Sequence, residues 1–227
     1  MALQITEIFY SLQGESSHAG LPSVFLRLTG CNLRCHWCDS EYSFYGGRRM
    51  ELDEVLAAVH AYPCRRVEIT GGEPLLQAPA VAALARALLA EGYCTMLETS
   101  GERDLSPVPE AVVKVVDVKC PGSGEAGTFR EDNLKLLRPW DELKFVVRDA
   151  ADYEFARDFI RRHALGQGPP ALLLSPAFRK QAAGERSSAQ CELDPAALAA
   201  WMLRDGLPAR LSLQIHKFIW DPARRGV

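Results

Sequence analysis

Three thiols, Cys31, Cys35 and Cys38, fall within eight residues at the spacing Cys-x3-Cys-x2-Cys. Thiolate is a soft ligand, and so short a loop can wrap a single metal centre. A structural zinc or an ordinary four-iron cluster takes four protein ligands, so a centre held by three keeps one coordination position open for chemistry. Free cysteines are often simply buried, but that does not explain three of them among Asn32, Arg34, His36 and Asp39. A zinc site completed by His36 or by a distant cysteine is the more serious rival. The other four cysteines, Cys64, Cys94, Cys120 and Cys191, are scattered; the odd total suits a reducing cytoplasm better than a disulfide framework.

The elements that must hold this loop are legible from periodicity. Val24 to Leu28 is a strong strand signal that runs straight into Gly30-Cys31, with Arg27 an odd charge inside it. Ile5 to Phe9 reads as an earlier strand, and Ser16 to Pro22 as a loop. Leu52, Val55, Leu56 and Val59 follow helical spacing, so 51–59 is an amphipathic helix. Further strands are expected at 67–70, 94–98, 112–118, 142–147, 171–175 and 210–215. Helices are expected at 79–91, closed by Gly92, at 152–163, and from Asp194-Pro195 to Gly206. The patch from Lys180 to Gln190 is polar and of low complexity, and no internal repeat is visible.

Alternating strands and helices imply an α/β fold with a parallel sheet. About six units are too few for a closed eight-stranded barrel, which leaves a partial open barrel or a doubly wound sheet. In either, the site forms at the C-terminal ends of the strands. The cysteine loop, Gly71-Gly72-Glu73-Pro74, Glu98-Thr99-Ser100, Lys119-Cys120 and Ser175-Pro176 all fall at such ends.

The chain has 227 residues, 48% hydrophobic and 24% charged, with a formal net charge of -3. This suits one domain over 1–227 and argues against a general nucleic-acid surface. Neither a secretory signal nor an apolar run of membrane-spanning length is visible, so a soluble cytoplasmic protein is expected.

The cysteine loop resembles that of the radical S-adenosylmethionine (SAM) enzymes, including the aromatic Trp37 before the third cysteine. The resemblance implies a partial (β/α)6-type open barrel, with the cluster loop at the C-terminal end of its first strand. It implies a [4Fe-4S] cluster on Cys31, Cys35 and Cys38, whose open iron chelates SAM. Gly72 and Glu73 match the motif that binds the SAM amino group. Trp37, His36, Asp39, Ser100, Cys120, Pro121, Gly122, Ser175 and Pro176 are the other implied SAM contacts. The radical comes from SAM, so no side chain is expected to act as the catalyst.

Within that superfamily the chain is similar to the carboxydeazaguanine synthases. The likeness is carried by Leu12-Gln13-Gly14-Glu15, Arg27, the cluster loop with Cys38-Asp39-Ser40, Thr70 to Pro74, and the ending Gln214-Ile215-His216-Lys217. It implies a lyase that converts 6-carboxy-5,6,7,8-tetrahydropterin to 7-carboxy-7-deazaguanine with loss of ammonia, serving queuosine and other 7-deazapurines. Leu12, Gln13, Gly14, Glu15, Arg27, Thr70 and His216 are the implied substrate contacts, and Ser40 the implied Mg2+ ligand. A flavodoxin- or ferredoxin-like electron donor and a homodimer are implied partners, without nucleic acid or membrane. The chemistry is consistent: carboxylate and amide groups suit a pterin edge, and Arg27 can grip a carboxylate with two parallel bonds. The tail after His216 is expected to close over the substrate or to pack on a second subunit. The rivals are a glycyl-radical-enzyme activase, which needs a protein partner, and a non-catalytic iron–sulfur carrier or zinc-stabilised binding module.

Overall fold

The computed structural model describes residues 1–180 and 186–227. An antiparallel hairpin opens it, β1 (Ala2–Leu12) against β2 (Pro22–Leu28), and β3 (Arg48–Glu51) adds antiparallel to the outer edge of β1. Helix α1 (Leu52–His60) leads to β4 (Arg66–Gly71), and α2 (Ala78–Ala90) to β5 (Cys94–Thr99). Then come β6 (Val113–Asp117), β7 (Glu142–Val147), α3 (Ala150–Arg162), β8 (Ala171–Pro176), α4 (Pro195–Arg204), β9 (Arg210–Leu211) and the short α5 (His216–Ile219). The sheet order is β3-β1-β2-β4-β5-β6-β7-β8-β9, and every pairing from β2 to β9 is parallel. The open (β/α)6-type sheet thus comprises β2 and β4 to β8, and the cysteine loop leaves the C-terminal end of its first strand.

Side chains alternate across a strand, and here the alternation separates a helix-packed face from the face that carries the site. Val24, Leu26, Val67, Ile69, Leu97, Val116, Leu143, Phe145 and Leu174 are all 0% exposed and form the core with the helices. Each such side chain contributes about 1.5–3 kcal/mol on burial. Helix α1 seats Val55 and Val59; α3 seats Tyr153, Ala156, Phe159 and Ile160, with the Phe159 ring edge-on to Phe145 at 5.6 Å. The opposite face carries Arg27, Glu68, Thr70, Glu98, Asp117 and Lys144 on neighbouring strands.

Local chemistry sets the helix starts. Glu51 and Glu54 form a capping box on α1. Asp149 and Asp194 cap α3 and α4 by accepting from Asp152 N (3.1 Å) and Ala196 N (3.0 Å). Gly92 ends the turn after α2 at φ +80°.

Several elements differ from expectation. Strand β1 runs to both sides of Ile5–Phe9, because pairing with β2 continues to Leu12↔Pro22 and with β3 from Ala2. The charged β3 gave no periodic signal: Met50 is its one buried residue. No α-helix separates β5 from β6 or β6 from β7; loops and short 3-10 turns at Pro121–Ser123 and Glu131–Leu136 connect them. The last strand stops at Leu211 instead of Ile215. Ser212 N still reaches Leu174 O at 2.8 Å, but Ile215 N turns to Gly14 O at 2.9 Å. Of the polar patch 180–190, residues 181–185 lie outside the described residues, while Ser188–Gln190 form a 3-10 turn.

Candidate active site

The polar face of the sheet opens into a cavity at the C-terminal strand ends, walled on one side by Cys31, Cys35 and Cys38. Their loop is pinned at several points. Gly30, at φ +102°, donates its N–H to Ser43 O at 2.8 Å, and its carbonyl accepts from Glu73 N at 2.8 Å. Arg34 donates to the Cys31 and Leu33 carbonyls (2.8 and 2.7 Å) and lies 4.3 Å over the Phe44 ring. A side chain at Gly72 would collide with the Gly30 carbonyl and the Cys31 Cβ, so only glycine lets β4 approach the loop this closely. Burial pushes the Cys35 thiol up to about 11, against the nearby Lys119 ammonium, and also raises Cys31. None of the scattered cysteines lines this cavity.

Glu73 braces the wall from behind. Its carboxylate accepts from Leu75 N (2.9 Å), Thr99 Oγ1 (2.7 Å), Ser100 N (2.9 Å) and Ser100 Oγ (2.7 Å). Three of these bonds tie the segment after β4 to the end of β5, and the fourth caps the 3-10 turn Pro74–Gln77.

The β1–β2 connection folds across the cavity floor. Gln13 N donates to Leu21 O and Gly20 N returns to Gln13 O, both at 2.8 Å, and Gln13 Nε2 donates to Glu68. Lys144 Nζ donates to Glu15 Oε2 at 2.8 Å, pairs with Glu98, and stands 4.0 Å from Asp117. Gln214 Nε2 donates to the other Glu15 oxygen at 2.7 Å, and Lys119 pairs with Asp117 at 2.7 Å. Burial works to raise the Glu15 carboxyl, but Lys144, His216 and Gln214 reverse it and hold it at about 2. Burial and the facing Glu98 carboxylate instead raise Glu68 well above the ordinary range.

Arg27, on β2 beside β4, lines the same cavity. Its Nε donates to Glu7 Oε1 at 2.8 Å, and the same oxygen accepts from Tyr42 OH at 2.6 Å. Its two Nη groups have no hydrogen-bond partner among the described residues, so the fork is open to the cavity. The C-terminal segment completes the wall. Gly14 packs directly under the His216 ring, Lys217 reaches Asp39 Oδ2 at 2.6 Å, and Val227 lines the cavity. Burial depresses His216, with Glu15 and Asp39 acting against the shift.

Of the sequence-derived candidates, Leu12, Gln13, Gly14, Glu15, Arg27, Trp37, Asp39, Ser40, Thr70, Gly72, Ser100 and His216 line the cavity with the three cysteines. His36, Glu73, Cys120, Pro121, Gly122, Ser175 and Pro176 do not. His36 Nδ1 meets Gly122 O at 3.1 Å, and Gly122 N is held by Asp152 Oδ1 at 2.6 Å. Cys120 and Ser175 are buried. Glu68, Asp117, Lys144 and Phe178 were missed as site residues; Glu98 and Lys119 were placed at the strand ends, and Gln214 and Lys217 in the terminal motif, without an assigned contact. A charged side chain inside an otherwise apolar parallel strand, as at Glu68 and Lys144, was the available signal.

The profile of the Radical SAM superfamily matches residues 26–120. Over 226 residues the chain is 57% identical to a 7-carboxy-7-deazaguanine synthase of Koribacter versatilis (strain Ellin345), covering 99% of this chain and 100% of that one. A 7-carboxy-7-deazaguanine synthase of Chlorobaculum tepidum is 41% identical over 228 residues, covering 99% and 97%. In three dimensions the chain superposes on the crystal structure of QueE from Escherichia coli with a TM-score of 0.74 at 23% identity, over 94% of each chain. A radical SAM methyltransferase from Sphaerobacter thermophilus shares the fold more distantly, with a TM-score of 0.54 at 16% identity over 85% of this chain and 66% of that one.

Proposed function

The chain belongs to the 7-carboxy-7-deazaguanine synthase family of the radical SAM superfamily, and we propose that it converts 6-carboxy-5,6,7,8-tetrahydropterin to 7-carboxy-7-deazaguanine and ammonia. One observation carries the substrate reading. A single cavity sets the open Arg27 fork against the acceptor-rich floor of Gln13, Glu15, Glu68 and Glu98, with the three thiols on the wall. A carboxylated aminopterin has the complementary polarity, with an anion at one end and N–H donors at the other.

The donor set fits the family's cofactors. Cys31, Cys35 and Cys38 would hold a [4Fe-4S] cluster, and the absence of a fourth cysteine from the cavity matches a cluster with one open iron. Trp37, Asp39, Gly72 and Ser100 face the same space and would hold SAM, while Glu73 fixes Ser100 from behind. Bound there, cluster and SAM would supply the radical chemistry for taking a hydrogen atom from the substrate.

The protein's own work is positioning and exclusion. Arg27 would bind the substrate carboxylate through its Nη groups, with Glu7 fixing the guanidinium plane. Glu15 would accept the N–H groups of the aminopyrimidine edge, and His216, stacked on Gly14, would close the floor. Thr70 and Leu12 flank this pocket. Ser40, one residue beyond Asp39, would give a hard oxygen to Mg2+ near the substrate carboxylate. The product places the enzyme in 7-deazapurine synthesis, and the elimination of ammonia makes it a carbon–nitrogen lyase. A flavodoxin- or ferredoxin-like electron donor and a second copy of the chain remain the partners of this reading.

The test is an anaerobic assay of the iron–sulfur-reconstituted protein with reductant, SAM, Mg2+ and 6-carboxytetrahydropterin, read by mass spectrometry. Carboxydeazaguanine with released ammonia is the expected result. Cleavage of SAM to 5'-deoxyadenosine without that product would retain the radical enzyme and reject the substrate.

A further inference from the structure

Lys144 is a cation on a central strand, 4% exposed, at the meeting point of three carboxylates from three other elements. Glu15 arrives from the β1–β2 connection at 2.8 Å, Glu98 from β5 in direct contact, and Asp117 from β6 at 4.0 Å. Asp117 has its own partner in Lys119, whereas Glu98 has no other cation among the described residues. Glu68 on β4 faces Glu98 and accepts from Gln13, and His216 on α5 faces Glu15. Glu15 and Glu98 are partly buried, with side chains 16% and 25% exposed, and a shared counter-charge offsets the repulsion between two such carboxylates. All of these groups line the cavity floor that would meet the heterocycle, and Lys144 is the cation that Glu15 and Glu98 share.

We propose that Lys144 is a positioning residue for the pterin: its ammonium holds Glu15 and Glu98 in place as ionised acceptors for the N–H groups of the aminopyrimidine edge. This rests on the substrate reading above and names what makes its recognition floor work. Lys144 spends its hydrogen bonds on the carboxylates, so it acts through them. The arrangement also selects for a neutral ring with several N–H donors, and against a ring that presents acceptors there. Burial by itself favours the neutral amine at Lys144, but the three carboxylates reverse this and hold it charged. Glu15 is correspondingly kept far below neutrality.

The experiment compares the reconstituted wild-type protein with Lys144→Met, Lys144→Arg, Glu15→Gln and the double variant Glu15→Gln/Lys144→Met. Substrate affinity is measured by calorimetry from pH 6 to 8.5, and SAM affinity and cluster absorbance are measured in parallel. The wild-type dissociation constant should be flat across this range. Lys144→Met should bind substrate at least tenfold more weakly at pH 6.5 and recover part of the loss as pH rises, because Glu15 then ionises without its counter-ion. Lys144→Arg should stay pH-independent. In the Glu15→Gln background, Lys144→Met should cost at most a third of its effect in the wild type. Equal affinity of Lys144→Met and wild type, a loss that is flat with pH, or additive losses in the cycle would overturn the proposal. Should Lys144→Met fail to retain its cluster, Lys144→Arg and the charge-neutral double variant decide: a pH-dependent Lys144→Arg, or a double variant no better than the sum expected from Glu15→Gln and a tenfold loss, overturns it. A wild-type protein that does not bind the tetrahydropterin would instead overturn the substrate reading on which this inference rests.

Discussion

Lys217 Nζ lies 2.6 Å from Asp39 Oδ2 and 4.9 Å from the centre of the Phe178 ring. This pair joins the C-terminal segment to the residue that follows the third cysteine, across 178 positions of sequence. Burial acts to raise Asp39, but Lys217, His216 and Arg27 outweigh it and keep the carboxylate ionised. The cluster loop and the segment that carries His216 are therefore held as one unit.

Lys217→Ala should loosen both ends of that unit. Lys217 is buried while Asp39 is half open, so the loss in stability should be about 1–3 kcal/mol, below that of a fully buried pair. Weaker binding of both SAM and substrate in calorimetry is the accompanying outcome; a loss confined to one ligand would contradict the coupling.

Gly72→Ala places a methyl group against the Gly30 carbonyl and the Cys31 Cβ. Neither neighbour is the end of a flexible side chain, so the cysteine loop must shift. Iron content after reconstitution should fall by more than half, whereas Cys64→Ala, outside the cavity, should keep its iron.

Arg27→Ala should raise the KM for the pterin by about 100-fold, in line with losing a bidentate charged contact. SAM cleavage without substrate should persist. Arg27→Lys should recover little of the loss, because an ammonium cannot reproduce the fork or the hydrogen bond from Nε to Glu7.

Ser40→Ala should abolish the response of turnover to added Mg2+ while leaving cluster absorbance unchanged. A variant that keeps the full Mg2+ response would remove Ser40 as the ligand.

The floor carboxylates predict opposite pH effects on stability. Glu15 is depressed to about 2, so its contribution is present above the ordinary carboxylate range and is lost as pH falls toward 2. Glu68 is raised, so the unfolded chain releases its proton first and stability declines as pH rises above about 4.5 toward the raised value. Glu68→Gln should remove that decline, and its melting temperature relative to wild type should climb between pH 5 and pH 8. A constant difference would show that Glu68 ionises normally.

The motif-bearing parts of the site were legible in the sequence because their chemistry is local. Three thiols on one short loop must lie together whatever the fold, and glycines at 71 and 72 after an apolar strand signal a close backbone approach. The parallel sheet followed from apolar strands alternating with amphipathic helices, since both faces of such a sheet need cover or a purpose. The polar floor was different. Glu15, Glu68, Glu98 and Lys144 lie on four elements; a charge inside an apolar strand marks Glu68 and Lys144 one by one, but only strand register and the fold of the β1–β2 connection bring the four to one cavity. Likewise the strand signal runs from Arg210 to Ile215, yet the strand ends at Leu211, and Ile215 N and the Gln214 side chain find partners on the β1–β2 connection. His36 and Gly122 were implied SAM contacts, but neither lines the cavity: His36 Nδ1 meets Gly122 O, and Gly122 N donates to Asp152. Local spacing determined the cysteine loop and the order of the central strands and main helices. The charge pattern of the floor was decided only by tertiary structure, because an ion pair between residues 129 positions apart depends on strand register and on desolvation, neither of which exists until the sheet has closed around it.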